Sequence, residues 1–195
     1  MAVTGLLLLL FAIVHMVGHL QMFGGPALYN KYAAFLQALW EVKWPVRIGL
    51  IALLALHVIL ALGLVAKNRA ARPIGYAEYR PKRASTAGRT MAITGLIVLA
   101  FLIFHIYHFT LMPTHPGDAY TMFVVAFRNV GLYVVYLAGI LLLSVHLGHG
   151  GSVWLQSLGW RHPKYPTDRL GPAISAFLFL GYMIPPTAVL VGLIK

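Results

Sequence analysis

The 195-residue chain contains no cysteine, and it has only four aspartates and glutamates against fifteen lysines and arginines. The missing cysteine excludes disulfides and a cysteine-ligated iron–sulfur cluster within this chain. The shortage of acid leaves a formal charge of +11. Charge of either sign is itself scarce, at 10% of residues, while 60% are hydrophobic. That balance excludes a soluble domain of this size. No internal repeat or low-complexity segment stands out.

The apolar residues fall in blocks long enough to cross a bilayer, about 20 residues each at about 1.5 Å per residue. Five are expected: roughly 3–23, 46–66, 91–112, 122–149 and 171–194. The first does not resemble a cleaved signal peptide, because it lacks a basic leading region and a small-residue cleavage site and is too long. The reading is an all-α integral membrane protein, a five-helix bundle in one domain, 1–195, with the first four spans forming its core.

The positive charge suggests nucleic acid, but its distribution points elsewhere. Lys67, Arg69, Arg72, Arg80, Lys82, Arg83 and Arg89 lie between the second and third spans, and Arg161, Lys164 and Arg169 between the fourth and fifth. Those two loops share one side and hold ten of the fifteen cations. An excess of Lys and Arg marks the cytoplasmic side, which puts the N-terminus inside and the C-terminus outside. Anionic lipid accounts for the same charge, and a cytoplasmic partner is a further use for it. No nucleic-acid partner is expected.

Residues 24–45, GGPALYNKYAAFLQALWEVKWP, read as a short amphipathic helix at the outer interface, ending at Trp40 and Trp44. Residues 67–89 and the GWRHPKYP stretch read as irregular, and PTHPGD after position 112 as a turn.

Seven of the nine histidines lie within spans: His15 and His19, His57, His105 and His108, His146 and His149. Spacings of three and four keep each pair on one helical face. With a rise of about 1.5 Å per residue, His15 lies roughly 18 Å and His105 about 20 Å from the cytoplasmic edge, and His57 and His146 roughly 6–14 Å. The histidines sort into two layers, each fed by two helices.

Two axial imidazoles complete a porphyrin iron, and helices of a bundle can present them to a cofactor in the core. Two layers therefore imply two stacked b haems. Gly18, Gly63, Gly139 and Gly148 sit near these histidines, where a missing side chain admits a flat macrocycle. Other readings stay open. Membrane histidines also serve as interhelical hydrogen-bond partners or as a proton relay in a haem-free transporter. Zinc suits two separated layers less well. Almost no carboxylate lies within the spans, which favours haem over a relay. Spacing alone does not say which histidine of each pair is the ligand.

The segments VHMVGH (14–19), FGGPALYNKYAAFLQ (23–37), LHVILALGLVAKNRAARP (56–73), GRTMAITG with FHIYHF (88–95, 104–109) and HLGHGGSVWLQSLG (146–159) occur in order over most of the chain. Together they resemble the cytochrome b subunit of succinate dehydrogenase/fumarate reductase, of the single-chain, five-helix, two-haem type. The fifth span matches only as an apolar run. The resemblance implies that the first histidine of each motif is the iron ligand: His15 with His105 on an outer haem, His57 with His146 on an inner one. It places His19, His108 and His149 as groups that bond a propionate, a carbonyl or quinone.

The resemblance further implies an anchor for a flavoprotein (FAD) subunit and an iron–sulfur subunit, in a bacterial-type cytoplasmic (inner) membrane. Electrons would pass through both haems to a quinone, menaquinone by preference, with no succinate chemistry in this chain. A higher oligomer of the complex stays open, as does the anchor of another dehydrogenase. Arg89 is the expected propionate partner, with Ser85, Thr86, Ser152, Gln156 and Lys164 behind it. Glu41, Tyr29, Lys31, His19 and His108 are candidates for a quinone site, Glu41 as proton donor.

Overall fold

A computed structural model of the chain describes residues 1–71, 86–160 and 169–195, apart from the side chain of Ala87. Arg72, Arg80, Lys82, Arg83, Ser85, Arg161, His162 and Lys164 lie outside the described residues. The described residues form helices and connecting turns with no strand. Five helices are long and apolar enough to cross a membrane, so by composition this is a multi-pass membrane protein.

Helix α1 (Ala2–Leu20) continues through a short 3-10 turn into α2 (Gly25–Ala38). The junction is Gly25, at φ 82°, a left-handed backbone that favours glycine. Pro26 follows in the first turn of α2, where its missing N–H is harmless. Helix α3 (Trp40–Ala70) is longer than the run 46–66 suggests. Trp40 and Trp44 belong to its first turns, and Lys67 and Arg69 to its last, where cations complement the carbonyl end of a helix. Helix α4 (Thr86–Ile106) widens into a π turn over Tyr107–Leu111, closed by Met112 N–H to the Tyr107 carbonyl at 2.9 Å.

The fourth span differs from the expected 122–149. Residues Ala119–Arg128 form a separate short helix, α5, and the crossing helix α6 runs from Val130 to Ser157. The break is Asn129, extended at ψ 111°, whose Oδ1 accepts the Leu132 N–H at 3.1 Å. Apolar residues on both sides hide that cap from hydropathy. Helix α7 (Leu170–Leu190) completes the bundle.

Small residues set the packing, as expected where lipid removes the hydrophobic drive between helices. The α6–α7 contact is the most extensive in the fold. A Cβ on Gly148 would strike Ser175 and the Gly171 carbonyl, and one on Gly181 would strike Met16 of α1. Helix α7 carries Pro185 and Pro186, both buried. Tyr182 of α7 donates its hydroxyl to the Ala12 carbonyl of α1 at 2.6 Å. Helix α7 is thus an integral wall of the bundle. By contrast, the apolar stretch of α3 has no buried residue. Its stripe Leu53, Leu54, His57, Val58, Ala61 and Val65 is only half-buried.

A polar knot ties α2 to α5. Asp118 caps α5, with Oδ1 accepting the Thr121 N–H at 2.9 Å and Oδ2 the Thr121 hydroxyl at 2.7 Å. Asn30 of α2 donates to Asp118 Oδ1 at 2.9 Å and accepts the Tyr120 N–H at 2.9 Å. The Thr121 N–H, the Thr121 hydroxyl and Asn30 hold the Asp118 carboxyl down at about 2, from 3.8. A carboxylate whose folded pKa is depressed stabilises above its unfolded pKa and loses that contribution as pH falls through the folded value. Asp118→Ala should therefore lower the unfolding temperature in detergent at pH 6, and the gap to wild type should close between about pH 4 and pH 2. A gap that persists at the acid end would remove the charge from this role.

Candidate functional site

The structure places His15 and His105 across the bundle from one another, ring centres 5.9 Å apart and planes at 79°. His19 stands one turn beyond His15, its ring 4.6 Å away, with the two Nε2 atoms 3.3 Å apart. That contact is at the long end for a hydrogen bond. His19 Nδ1 meets the hydroxyl of Tyr29 at 2.9 Å. Tyr29 is a buried residue of α2, so the short helix reaches into this layer.

His108 lies in the π turn, and its Nδ1 is 3.0 Å from the hydroxyl of Tyr136 on α6. The same hydroxyl is 3.4 Å from His105 Nδ1. One phenol thus serves two imidazoles, donating to at most one of them. Phe101 packs on Tyr136 at 5.4 Å, in space opened by Gly139, where a Cβ would strike the Phe101 ring. Phe123 of α5 packs at 5.6 Å from His19, and Tyr182 of α7 at 6.3 Å from His15.

The second layer is built differently. His57 Nδ1 lies 3.0 Å from the hydroxyl oxygen of Thr4 on α1. His146 Nδ1 lies 3.3 Å from that of Thr94 on α4. A glycine follows each threonine. A Cβ on Gly5 would sit 3.4 Å from His57 Cε1, and one on Gly95 would sit 3.1 Å from His146 Cε1. His57 of α3 and His146 of α6 each face a threonine of an earlier helix. On α1 the layers are set by Thr4 and His15, eleven residues apart, or about 16 Å at about 1.5 Å per residue.

The remaining candidates are dispersed. Of the quinone-site set, Tyr29, His19 and His108 gather around the His15 layer. Lys31 is exposed, and exposed Glu41 lies in the first turn of α3 in a shallow surface groove lined by Trp40, Trp44, Pro45, Ile48 and Gly49. Arg89 donates to Thr86 Oγ1 at 3.2 Å in the first turn of α4. Gln156 is in the last turn of α6. Ser152 donates to the His149 carbonyl at 2.8 Å. Gly18 faces Tyr32, and Gly63 faces open space.

Sequence reasoning missed Thr4, Thr94, Tyr136 and Tyr182. A hydroxyl beside a glycine inside an apolar span was the available signal for the two threonines. No known protein family, curated protein or solved structure matches the chain.

The glycine contacts make opposite demands on one substitution. Gly→Ala in a helix interior gains up to about 1 kcal/mol. At Gly5 the added methyl meets His57 at ordinary contact distance, so Gly5→Ala should hold or raise the unfolding temperature in detergent. At Gly95 the His146 ring must shift by a few tenths of an ångström, so Gly95→Ala should lower it. The reverse order would show that these rings are not seated on the glycines.

Proposed function

We propose that the chain is the membrane-anchor cytochrome b subunit of a succinate:quinone oxidoreductase, holding two b haems between a dehydrogenase head and a quinone site. The observation that carries this reading is the pairing of His15 and His105 at 5.9 Å. A metal–imidazole bond of about 2 Å on each side puts two axial rings roughly 6 Å apart, centre to centre. The donor set fits as well. In each layer two helices face each other with one histidine apiece, His15 with His105 and His57 with His146, and a pair of imidazoles is the donor set that a porphyrin iron takes. Half-buried α3 touches its neighbours without closing on them, and Gly5 and Gly95 let two of the rings lie against backbone.

His15 and His105 would hold the outer haem, and His57 and His146 the inner one. When bound, the haems supply one-electron steps between an iron–sulfur partner and quinone. Held by two histidines, an iron would be suited to electron transfer rather than oxygen chemistry. The chain's other residues supply protons and orientation. Tyr29 holds His19 at Nδ1, and Tyr136 holds His108 at Nδ1. These hydrogen-bonded groups, at the end of the bundle where α2 and α5 meet, bind and protonate a quinone, menaquinone by the resemblance.

The basic end of the chain, with Lys67, Arg69, Arg89 and Arg169, faces the cytoplasm by the positive-inside rule. There it docks the iron–sulfur and flavoprotein subunits, in a bacterial-type inner membrane with the N-terminus inside. Arg89, at the start of α4, pairs with a propionate of the inner haem.

The test is a reduced-minus-oxidised visible spectrum with haem quantitation on the purified complex, where two protohaems per chain are expected. His57→Ala and His146→Ala should each abolish one optical component, and His15→Ala and His105→Ala the other. A colourless protein points to a haem-free transporter. Two haems with a different co-purifying flavin or metal subunit point to the anchor of another dehydrogenase.

A further inference from the structure

Helices α1 and α4 carry a repeat that apolar composition conceals. Residues 1–15, MAVTGLLLLLFAIVH, and residues 91–105, MAITGLIVLAFLIFH, are identical at nine of fifteen positions. Each segment is followed by a short helix with a positive-φ glycine at its entry, Gly25 as the first residue of α2 and Gly117 just before α5. Each short helix is followed by a long one with a single matching histidine. His57 comes 42 residues after His15 (57 minus 15) and His146 comes 41 after His105 (146 minus 105). Within each copy, the Thr-Gly step of the first helix meets the histidine of the second. Thr4 meets His57, and Thr94 meets His146. Each histidine layer then takes one residue from each copy.

The threonine geometry assigns a proton. Thr4 Oγ1 donates to the Met1 carbonyl at 2.9 Å. Thr94 Oγ1 donates to the Thr90 and Met91 carbonyls at 3.1 and 3.2 Å. A hydroxyl has one hydrogen, and in both cases carbonyls of the helix's own backbone are placed to take it. With the hydrogen there, an oxygen lone pair faces the imidazole and calls for the proton on Nδ1. The other ring nitrogen, Nε2, is then the unprotonated one.

We infer that Thr4 and Thr94 are positioning residues of a duplicated unit: each fixes its copy's inner-layer histidine as the Nδ1–H tautomer and so presents Nε2 as the iron ligand. This rests on the haem reading above. An Nδ1–H that donates to oxygen also raises the basicity of the ligand, which stabilises oxidised iron. The glycine after each threonine lets the Cε1 corner of the ring lie against the helix, so hydroxyl and gap act together.

Two measurements test this. In the purified complex, Thr4→Val and Thr94→Val keep the side-chain shape and remove the oxygen. Each should move the midpoint potential of the same haem positive, the one lost in His57→Ala, and weaken its retention about tenfold or more. The other haem should not move, and Thr4→Ser and Thr94→Ser should restore the wild-type value. Unmoved potentials, or a shift confined to the His15–His105 haem, overturn the assignment. In the full chain produced without haem, nitrogen-15 spectra of labelled histidine should show His57 and His146 as Nδ1–H in wild type and as mixed tautomers in the valine variants. An unchanged tautomer overturns the threonine role itself, whereas a wild-type complex without haem overturns the reading beneath it.

Discussion

The fold depends on one constraint: an imidazole inside a membrane-length helix must find a hydrogen-bond partner among side chains, and here most find it on another helix. Water is absent there, and the helix's own backbone is already paired. The hydroxyls of Thr4, Thr94, Tyr29 and Tyr136 meet that need for His57, His146, His19 and His108. Each pair joins two helices, so placing the polar groups and assembling the bundle are the same event. An interhelical bond of this kind contributes on the order of 1 kcal/mol. That is modest singly, but four such bonds fix the rotation of the helices about their axes, which greasy side chains alone leave loose.

Close packing does the rest, and it is uneven. Glycines bring α6, α7 and α1 together, with Met16 and Leu178 almost wholly enclosed. Helix α3 is held mainly through α1, and its inward stripe stays half-buried. On the proposed reading the two facts belong together. One wall of the bundle is closed by small residues, and the loosely packed opposite side is where flat cofactors would sit.

Much of this was legible in the sequence, because hydropathy and the three- and four-residue spacing of histidines are strong signals. Five spans and two histidine-bearing layers follow from them. Three features were not legible. The break at Asn129 sits between apolar runs, so a capping residue was read as part of a span. The π turn at Tyr107–Leu111 leaves no compositional mark. The duplication was overlooked because leucine, isoleucine and valine match one another by chance in any membrane helix. Only the Thr-Gly pair and the histidine ten residues beyond that glycine carry information, and their meaning appears once the partner histidines are seen against them. The hydroxyl partners were missed for a related reason: spacing within one helix says nothing of what the neighbouring helix offers.

The two copies diverge where their symmetry would be least useful. In the shared alignment Gly18 stands opposite His108, and His19 opposite Phe109. In the first copy the glycine admits Tyr32 and the histidine bonds Tyr29. In the second copy, the π turn carries a histidine to Tyr136 instead. Equivalent ligands suit an iron that takes the same donor on both faces. A quinone bound beside that iron needs a different environment on each side, since protons and electrons reach it from different groups. On the proposed reading, the residues that obey the repeat are therefore those that would hold iron. Those that break it, His19, His108 and their tyrosines, are the ones assigned to the substrate.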